Sequence, residues 1–357
     1  MLAELAIGLR DLGHRVTVIA RTCELPADVE VTFHCVRGPR RPFLLAYPWF
    51  MIVGSLAVWR WRRGIVQTTG AIVLNRVDVV AVHYCHQVGP ANPSRSSGLF
   101  RAQARIAGLL KRGAERLCFA RNRAATFVCV SEGVAEEVRE HYPELRGRTV
   151  TIHNGVDTAA FTAGPHAERA GAMRDTLAIG EGRLVAAFVG SEWERKGLGP
   201  LIRALAISPE WDLLVAGGGE RGRYRELADS LGVGAAIHWL GVTSEIQLVY
   251  ELADAFVLPS SYETFSLVTF EAAASGLPIL AAPVSGVREL IRDGQNGFLI
   301  SRDPSKIGER LRWLAADPEL RRRLGSAARE SALEFGWERT VAKHHELYAR
   351  LSAGPRS

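Results

Sequence analysis

Twelve short runs rich in β-branched and other apolar residues, each divided from the next by helical or looped sequence, restrict this chain to one class of fold. The first six are VTVIA at 16–20, VTF at 31–33, IVQTT at 65–69, VDVVAVHYC at 77–85, TFVCVS at 126–131 and TVTIHNGVD at 149–157. After a polar gap at 158–182 come LVAAFVG at 184–190, DLLVAGGG at 212–219, AIHWLG at 236–241, AFVLPS at 255–260, PILAAPV at 278–284 and GFLI at 297–300. Several of these runs are continuously apolar, the pattern of strands covered on both faces. Alternating with helices, they build parallel sheets covered on both sides. At 357 residues the chain exceeds what one core supports. The expected architecture is α/β with two doubly wound domains, 1–160 and 161–335, and a closing helix in 336–357. Sheets of this type bind ligands beyond the carboxyl ends of their strands, so two facing sheets are expected to enclose a cleft.

The start of the chain departs from this plan. Leu2, Leu5, Ala6, Leu9 and Leu12 follow the helical period and Gly13 ends it. A doubly wound domain opens on a central strand whose glycine-rich turn precedes the first helix. Here the helix comes first, so the first strand of the N-terminal domain is expected to be missing. The opening residues carry no basic stretch of the kind that starts a signal peptide, and a cytoplasmic protein is expected. Five cysteines, Cys23, Cys35, Cys85, Cys118 and Cys129, form no C-x-x-C pair, which points to a reducing compartment and away from a thiolate zinc site. From Phe43 to Trp59 every residue is apolar or small. Pro48 is expected to interrupt this stretch, leaving a buried or interfacial helix flanked by Arg40, Arg41, Arg60, Arg62 and Arg63 rather than a membrane span.

A net charge of +6 and a pI near 9.3 favour anionic partners without choosing among them. Two segments narrow the choice. In FVGSEWERKGLGPLIRAL, from Phe188, a strand runs through a glycine-containing turn into a helix, and Arg195 and Lys196 sit just before that helix. Lys and Arg are commonly solvated surface residues. Beside a positive helix end, however, a forked guanidinium and a point-charge ammonium suit a diphosphate. In SYETFSLVTFEAAASGLP, from Ser261, a turn again leads into a helix, and the amides of Thr264, Phe265 and Ser266 are expected to face an anion. Glu263 is expected at the lip of the cleft and Glu271 inside the helix about two turns below. An acid among Val268, Phe270, Ala272 and Ala273 needs a hydrogen-bond partner to offset its desolvation. No third carboxylate or histidine joins the pair in this segment, so no metal is expected.

His83 and His86 end the strand at 77–85, and a lone histidine there is commonly structural. Their alternation with Cys85 prevents the trio from converging on a metal. The run RSSGLFRAQARIAGLLKRGAERLCFARNR at 95–123 sets basic residues among Leu99, Phe100, Ile106, Leu109, Leu110, Leu117 and Phe119, with Glu115 its one acid. Either an anionic membrane surface or plain solvent can meet a basic amphipathic helix over 99–123. No recognition module accompanies the charge, and no nucleic acid is expected.

The glutamate, seven residues, glutamate spacing of Glu263 and Glu271, followed by AAASGLPILAAPVSGVRELI, resembles the signature of the family-four retaining glycosyltransferases. FVCVSEGVAEEV, TIHNGVDTAAF, the R-K-G turn and FGWERTVAKHHELYARL resemble the same family in the same order. The resemblance implies two facing Rossmann-like domains (GT-B fold). It also implies a UDP- or GDP-sugar donor, a hydroxyl acceptor in glycan, lipid-linked or cell-envelope synthesis, transfer with retention, and no cofactor. It assigns Arg195 and Lys196 to the diphosphate, Glu263 to the donor sugar, Glu271 to the ribose, and Gly190, Ser191, Thr264, Phe265 and Ser266 to the donor pocket. His83 is the match for a strand-end histidine near the donor sugar. Three positions depart from the family pattern. Ser191 stands where many members carry arginine, as in a subgroup with a G-S-x-x-x-R-K-G turn, and Ser266 replaces a common glycine. The missing first strand would also remove a glycine-rich loop that faces the donor. A sugar-nucleotide 2-epimerase shares the fold but needs acids placed to abstract a sugar proton, which this sequence does not show. An inactive nucleotide-binding partner of another transferase is the remaining alternative.

Overall fold

The computed structural model describes residues 2–25, 29–88 and 98–353. Its contacts divide the chain into two compact units. One holds the chain up to Gly155 together with the segment from Trp337 onward, and the other is Val156–Gly336.

In the first unit α1 (Leu2–Asp11), β1 (Thr17–Ala20), β2 (Thr32–Cys35), α2 (Phe43–Trp61), β3 (Gln67–Thr69) and β4 (Val79–Val82) follow one another. They are succeeded by α3 (Gly98–Arg121), β5 (Thr126–Cys129), α4 (Glu132–His141) and β6 (Thr149–Thr151). Every strand pair is parallel. β3, β4, β5 and β6 form one sheet in that order, while β1 and β2 pair only with each other. The inner strand β4 is buried at all of its residues, whereas β1 and β2 are exposed or half-buried throughout. Among the described residues, no strand lies on the edge of β1 away from β2 or on the edge of β3 away from β4. A lone two-stranded pair has little stability of its own. The helix Trp337–Ala353 packs here: Val341 meets Leu5 and Leu9 of α1, and Leu347 meets Val79, Val128 and Ile152 on the sheet. Tyr348 Oη also donates to Gln67 Oε1 at 2.7 Å.

The stretch from Phe43 differs from its expectation. α2 runs unbroken through Pro48 for 19 residues, because later residues hold it to the unit. Ala46, Met51, Gly54 and Val58 are buried. Tyr47 Oη donates to the Ala71 carbonyl at 2.5 Å, and Ser55 Oγ accepts from the Leu74 amide at 2.8 Å. These contacts outweigh the single helical hydrogen bond that a proline lacks.

The second unit begins with α5 (Ala167–Thr176), a helix inside the polar gap. Only Ala170 of it is buried, so it carries no apolar period to announce it. β7 (Leu184–Val189), α6 (Trp193–Lys196), α7 (Leu198–Leu205), β8 (Trp211–Ala216), α8 (Arg221–Ser230), β9 (Ile237–Gly241), α9 (Ile246–Leu252) and β10 (Ala255–Leu258) come next. α10 (Leu267–Ala274), β11 (Ile279–Ala281), α11 (Val287–Leu290), β12 (Gly297–Leu299), α12 (Pro304–Ala316) and α13 (Pro318–Leu333) complete it. The six parallel strands lie in the order β12-β11-β10-β7-β8-β9. The first strand, β7, is therefore central, and the chain turns one way to β8 and later the other way to β10. Such a reversal opens a crevice at the carboxyl ends of β7 and β10, where open α/β sheets take their ligands.

Candidate functional site

Both segments singled out in the sequence leave the sheet at this reversal. Residues 190–197 follow β7 and residues 259–266 follow β10. Close backbone packing joins them. Gly197, at φ 84°, lies so near Pro259 that a Cβ there would sit 2.2 Å from the proline carbonyl oxygen. The Ser261 amide donates to the Arg195 carbonyl at 2.8 Å. Gly190, at φ 134°, leaves room for the Lys196 side chain, whose Cε would be 2.5 Å from a Cβ at that position.

The clamp brings two cations onto one carboxylate. Lys196 Nζ donates to Glu263 Oε1 at 2.9 Å, Arg195 Nη1 lies 3.2 Å from the same oxygen, and Ser260 Oγ donates to it at 2.9 Å. Lys196 and Glu263 are both 8% exposed. Glu263 Oε2 makes no hydrogen bond to a described residue. Arg195 also donates to the Tyr262 carbonyl, and its Nε reaches Glu192 Oε2 at 2.9 Å. Burial works against the Arg195 charge, and Glu263 and Glu192 outweigh it, so its pKa is raised.

The two acids are held differently. Glu263 is drawn in by Lys196, Arg195 and Ser260, while Glu271, within α10, is half-buried. The partner that Glu271 needs is Tyr250, whose Oη donates to Glu271 Oε2 at 3.1 Å. Its Oε1 has no bond to a described residue. Burial raises the Glu271 pKa, and the Tyr250 hydrogen bond offsets this only in part. The folded carboxyl therefore holds its proton to higher pH than the unfolded one, and stability falls as pH rises from the ordinary glutamate range through the raised value. Glu271→Gln, which keeps an oxygen for Tyr250, is expected to stabilise the protein by about 0.5–2 kcal/mol at pH 7, where binding-site residues commonly sacrifice stability. The gain should vanish below about pH 4, where both side chains are neutral. Denaturant midpoints at the two pH values measure it, and a gain independent of pH would contradict the assignment.

The remaining sequence-assigned residues fall out as follows. Ser191 is exposed next to Gly190. Thr264, Phe265 and Ser266 precede the helix, which starts at Leu267 with Ser266 as its left-handed N-cap residue at φ 63°. The helix's own first-turn amides are thus those of Leu267, Val268 and Thr269, the last of which donates to the Ser266 carbonyl at 2.8 Å. The Phe265 ring is buried and stacked on Phe270 at 4.2 Å, so only its backbone can meet a ligand. Gly286, at φ 78°, lets a further loop approach, since a Cβ there would be 2.0 Å from the Phe265 carbonyl oxygen. His83 belongs to the other unit. It follows β4 and lines a cavity of about 30 Å³ with Gln67, Asn154, Thr340 and His344. That volume admits about one water. Burial, with His344 adding to it, lowers the His83 pKa. No group of three or more potential metal ligands is present among the described residues.

Residues 1–160 match the family model for Glycosyltransferase Family 4, and residues 171–331 match that for Glycosyl transferases group 1. The chain belongs to the family-4 glycosyltransferases. A D-inositol 3-phosphate glycosyltransferase of Salinispora arenicola is 31% identical over 311 residues, covering 81% of this chain and 68% of the relative. Measured against the first curated relatives that it matches, the chain spans 49% to 73% of their length. Among solved structures, WaaG, a glycosyltransferase involved in lipopolysaccharide biosynthesis, superposes with a TM-score of 0.77 at 20% identity, covering 99% of this chain and 95% of that one. Anabaena HepE in complex with UDP-glucose gives 0.71 at 19% identity, covering 98% and 94%. The fold is GT-B, two Rossmann-like units each built on parallel sheet. In this family-4 chain, Tyr250 and Ser260 are the site residues that the sequence did not reveal. Tyr250 lies 21 positions from Glu271 on a separate helix, and no local spacing connects them.

Proposed function

We propose that this chain is a retaining glycosyltransferase that moves a sugar from a UDP- or GDP-sugar to a hydroxyl acceptor in glycan, glycolipid or cell-envelope synthesis, on the cytoplasmic side and peripheral to an anionic membrane through α3. The observation that carries the reading is the convergence of Arg195 and Lys196 on Glu263 Oε1 at the sheet reversal, with one oxygen of each acid unbonded to any described residue. The two cations stabilise the diphosphate as its bond to the anomeric carbon breaks and negative charge grows on the leaving oxygen. That oxygen takes the proton of the acceptor hydroxyl while the new carbon–oxygen bond forms on the same face. Glu263 Oε2 accepts from donor sugar hydroxyls, and Glu271 Oε1 accepts from the ribose. The family resemblance assigns His83 to the sugar end of the donor.

Calorimetry with UDP- and GDP-sugars, followed by turnover with hydroxyl acceptors, tests this. Glu271→Ala is expected to weaken nucleotide affinity about tenfold, the worth of one or two hydrogen bonds. Unchanged affinity for the free nucleotide would remove its ribose role. Donor binding without any turnover would instead identify an inactive nucleotide-binding partner of another transferase.

A further inference from the structure

The first unit exposes more apolar surface along α2 than a solvated helix carries. Leu45, Trp49, Ile52, Leu56 and Trp59 are 64%, 48%, 59%, 61% and 74% exposed. Their spacing of four, three, four and three residues sets them in one ridge, about 21 Å long at the helical rise. α2 is also the one described helix long and apolar enough to cross a bilayer by length and composition. Its other face is committed to the unit through Met51, Gly54, Val58, Tyr47 and Ser55, so the helix offers a side rather than its whole circumference.

The stretch of sequence that carries the ridge is strongly basic. Residues 31–114 contain 12 Arg or Lys and one acid, Asp78, a net of +11, so the rest of a chain of net +6 carries −5. Asp78 is already engaged, its Oδ2 accepting from the Val66 amide at 2.8 Å. No acidic residue lies within α2, and Arg60, Arg62 and Arg63 close it. The ridge continues onto α3, where Lys111 Nζ sits 4.9 Å from the centre of the Phe43 ring and Ile106 and Leu109 are exposed. The single acid of α3, Glu115, is buried, accepting from the His86 amide and Tyr142 Oη, both at 2.8 Å. Arg95 and the side chains of Leu99 and Phe100 lie outside the described residues.

We propose that the ridge Leu45, Trp49, Ile52, Leu56 and Trp59 inserts edgewise into the headgroup boundary of an anionic lipid bilayer, with the arginines at its C-terminal end and the basic face of α3 on the lipid phosphates. An apolar stripe bearing tryptophans, rimmed by arginine and free of acids, matches an interface that is apolar below and anionic above. A protein partner would have to be acidic and apolar along the same line, whereas a bilayer supplies both everywhere. The inference deepens the peripheral location proposed above by naming α2 as the inserted element, and it does not depend on sugar transfer.

Sedimentation of the full chain with phosphatidylglycerol–phosphatidylcholine vesicles and with pure phosphatidylcholine vesicles tests it. Ile52→Glu with Leu56→Glu should lower partition into anionic vesicles at least tenfold, and the milder Ile52→Gln with Leu56→Gln should lower it in the same direction. Circular dichroism and nucleotide affinity should match wild type in both. Anionic vesicles should be preferred at least tenfold over neutral ones. Wild-type partition by both α2 variants, alongside loss on charge reversal of Lys111, Arg112 and Arg116, would overturn the role of α2 and leave the peripheral location standing. No vesicle binding by wild type would overturn both. Lipid-free self-association abolished by the α2 variants would assign the ridge to a second copy of the chain and overturn the proposal.

Discussion

Lys196→Met is expected to slow sugar transfer about 10²–10³-fold, the loss typical of removing one preorganised donor to a developing oxyanion. Methionine keeps the length and apolar bulk of the lysine stem beside Gly190 and removes only the charge. Glu263 then retains Arg195 at 3.2 Å and Ser260 at 2.9 Å. The loss of stability should accordingly be about 2–3 kcal/mol, below that of a buried charge left with no partner. A second substitution separates the two roles of Lys196. In the double variant Lys196→Met with Glu263→Gln no charge is orphaned, so most of the stability should return while transfer stays slow. Recovery of both together would reduce Lys196 to a counter-ion of Glu263 and remove it from the diphosphate.

The contrast between local and distant contacts explains what the sequence disclosed. All twelve described strands overlap the β-rich runs of the sequence; β4, β8, β10 and β11 are apolar almost throughout because they are buried along their whole length, whereas the exposed or half-buried β1 and β2 are marked by β-branched and aromatic residues. The cations and acids of the site were visible for a similar local reason, since each group stands in a strand–turn–helix segment whose helix start draws an anion. Their mutual arrangement was not visible. Lys196 and Glu263 are 67 positions apart and meet only because β7 and β10 are neighbours in the sheet, an order that no local pattern encodes. Glu263 stands between exposed-looking turn residues in the sequence, yet distant cations pull it inside. The Phe265 ring is taken up by Phe270 five residues on, which leaves its backbone as the part that can face a ligand. Pro48 taken locally predicts a helix break, whereas Tyr47 and Ser55 tie both sides of it to the segment 71–74.

That dependence on neighbouring strands makes the glycine that seats the cation-bearing turn against the acid-bearing one a sensitive position, and Gly197→Ala is expected to be strongly disruptive. Gly197 closes α6, its amide donating to the Trp193 carbonyl at 3.0 Å, and opens α7, its carbonyl accepting from the Leu201 amide at 3.2 Å. An alanine there carries the left-handed strain of roughly 1–2 kcal/mol. It also drives a Cβ to 2.2 Å from the Pro259 carbonyl oxygen, which is backbone and cannot rotate aside. Overpacking of this kind adds roughly 1–3 kcal/mol. The total of about 2–5 kcal/mol is a large part of the stability of an ordinary domain. Relief requires residues 190–197 and 259–266 to part, which lengthens the Lys196–Glu263 contact, so donor affinity should fall together with stability. Gly232→Ala is the matched control. Gly232 also has a left-handed φ, 71°, but a Cβ there meets nothing within 4 Å. Its substitution should show the strain alone and leave donor affinity intact. Denaturant titration and donor calorimetry on the two variants therefore isolate the contact between the turns, and equal losses in both would mean that this contact does not hold the site together.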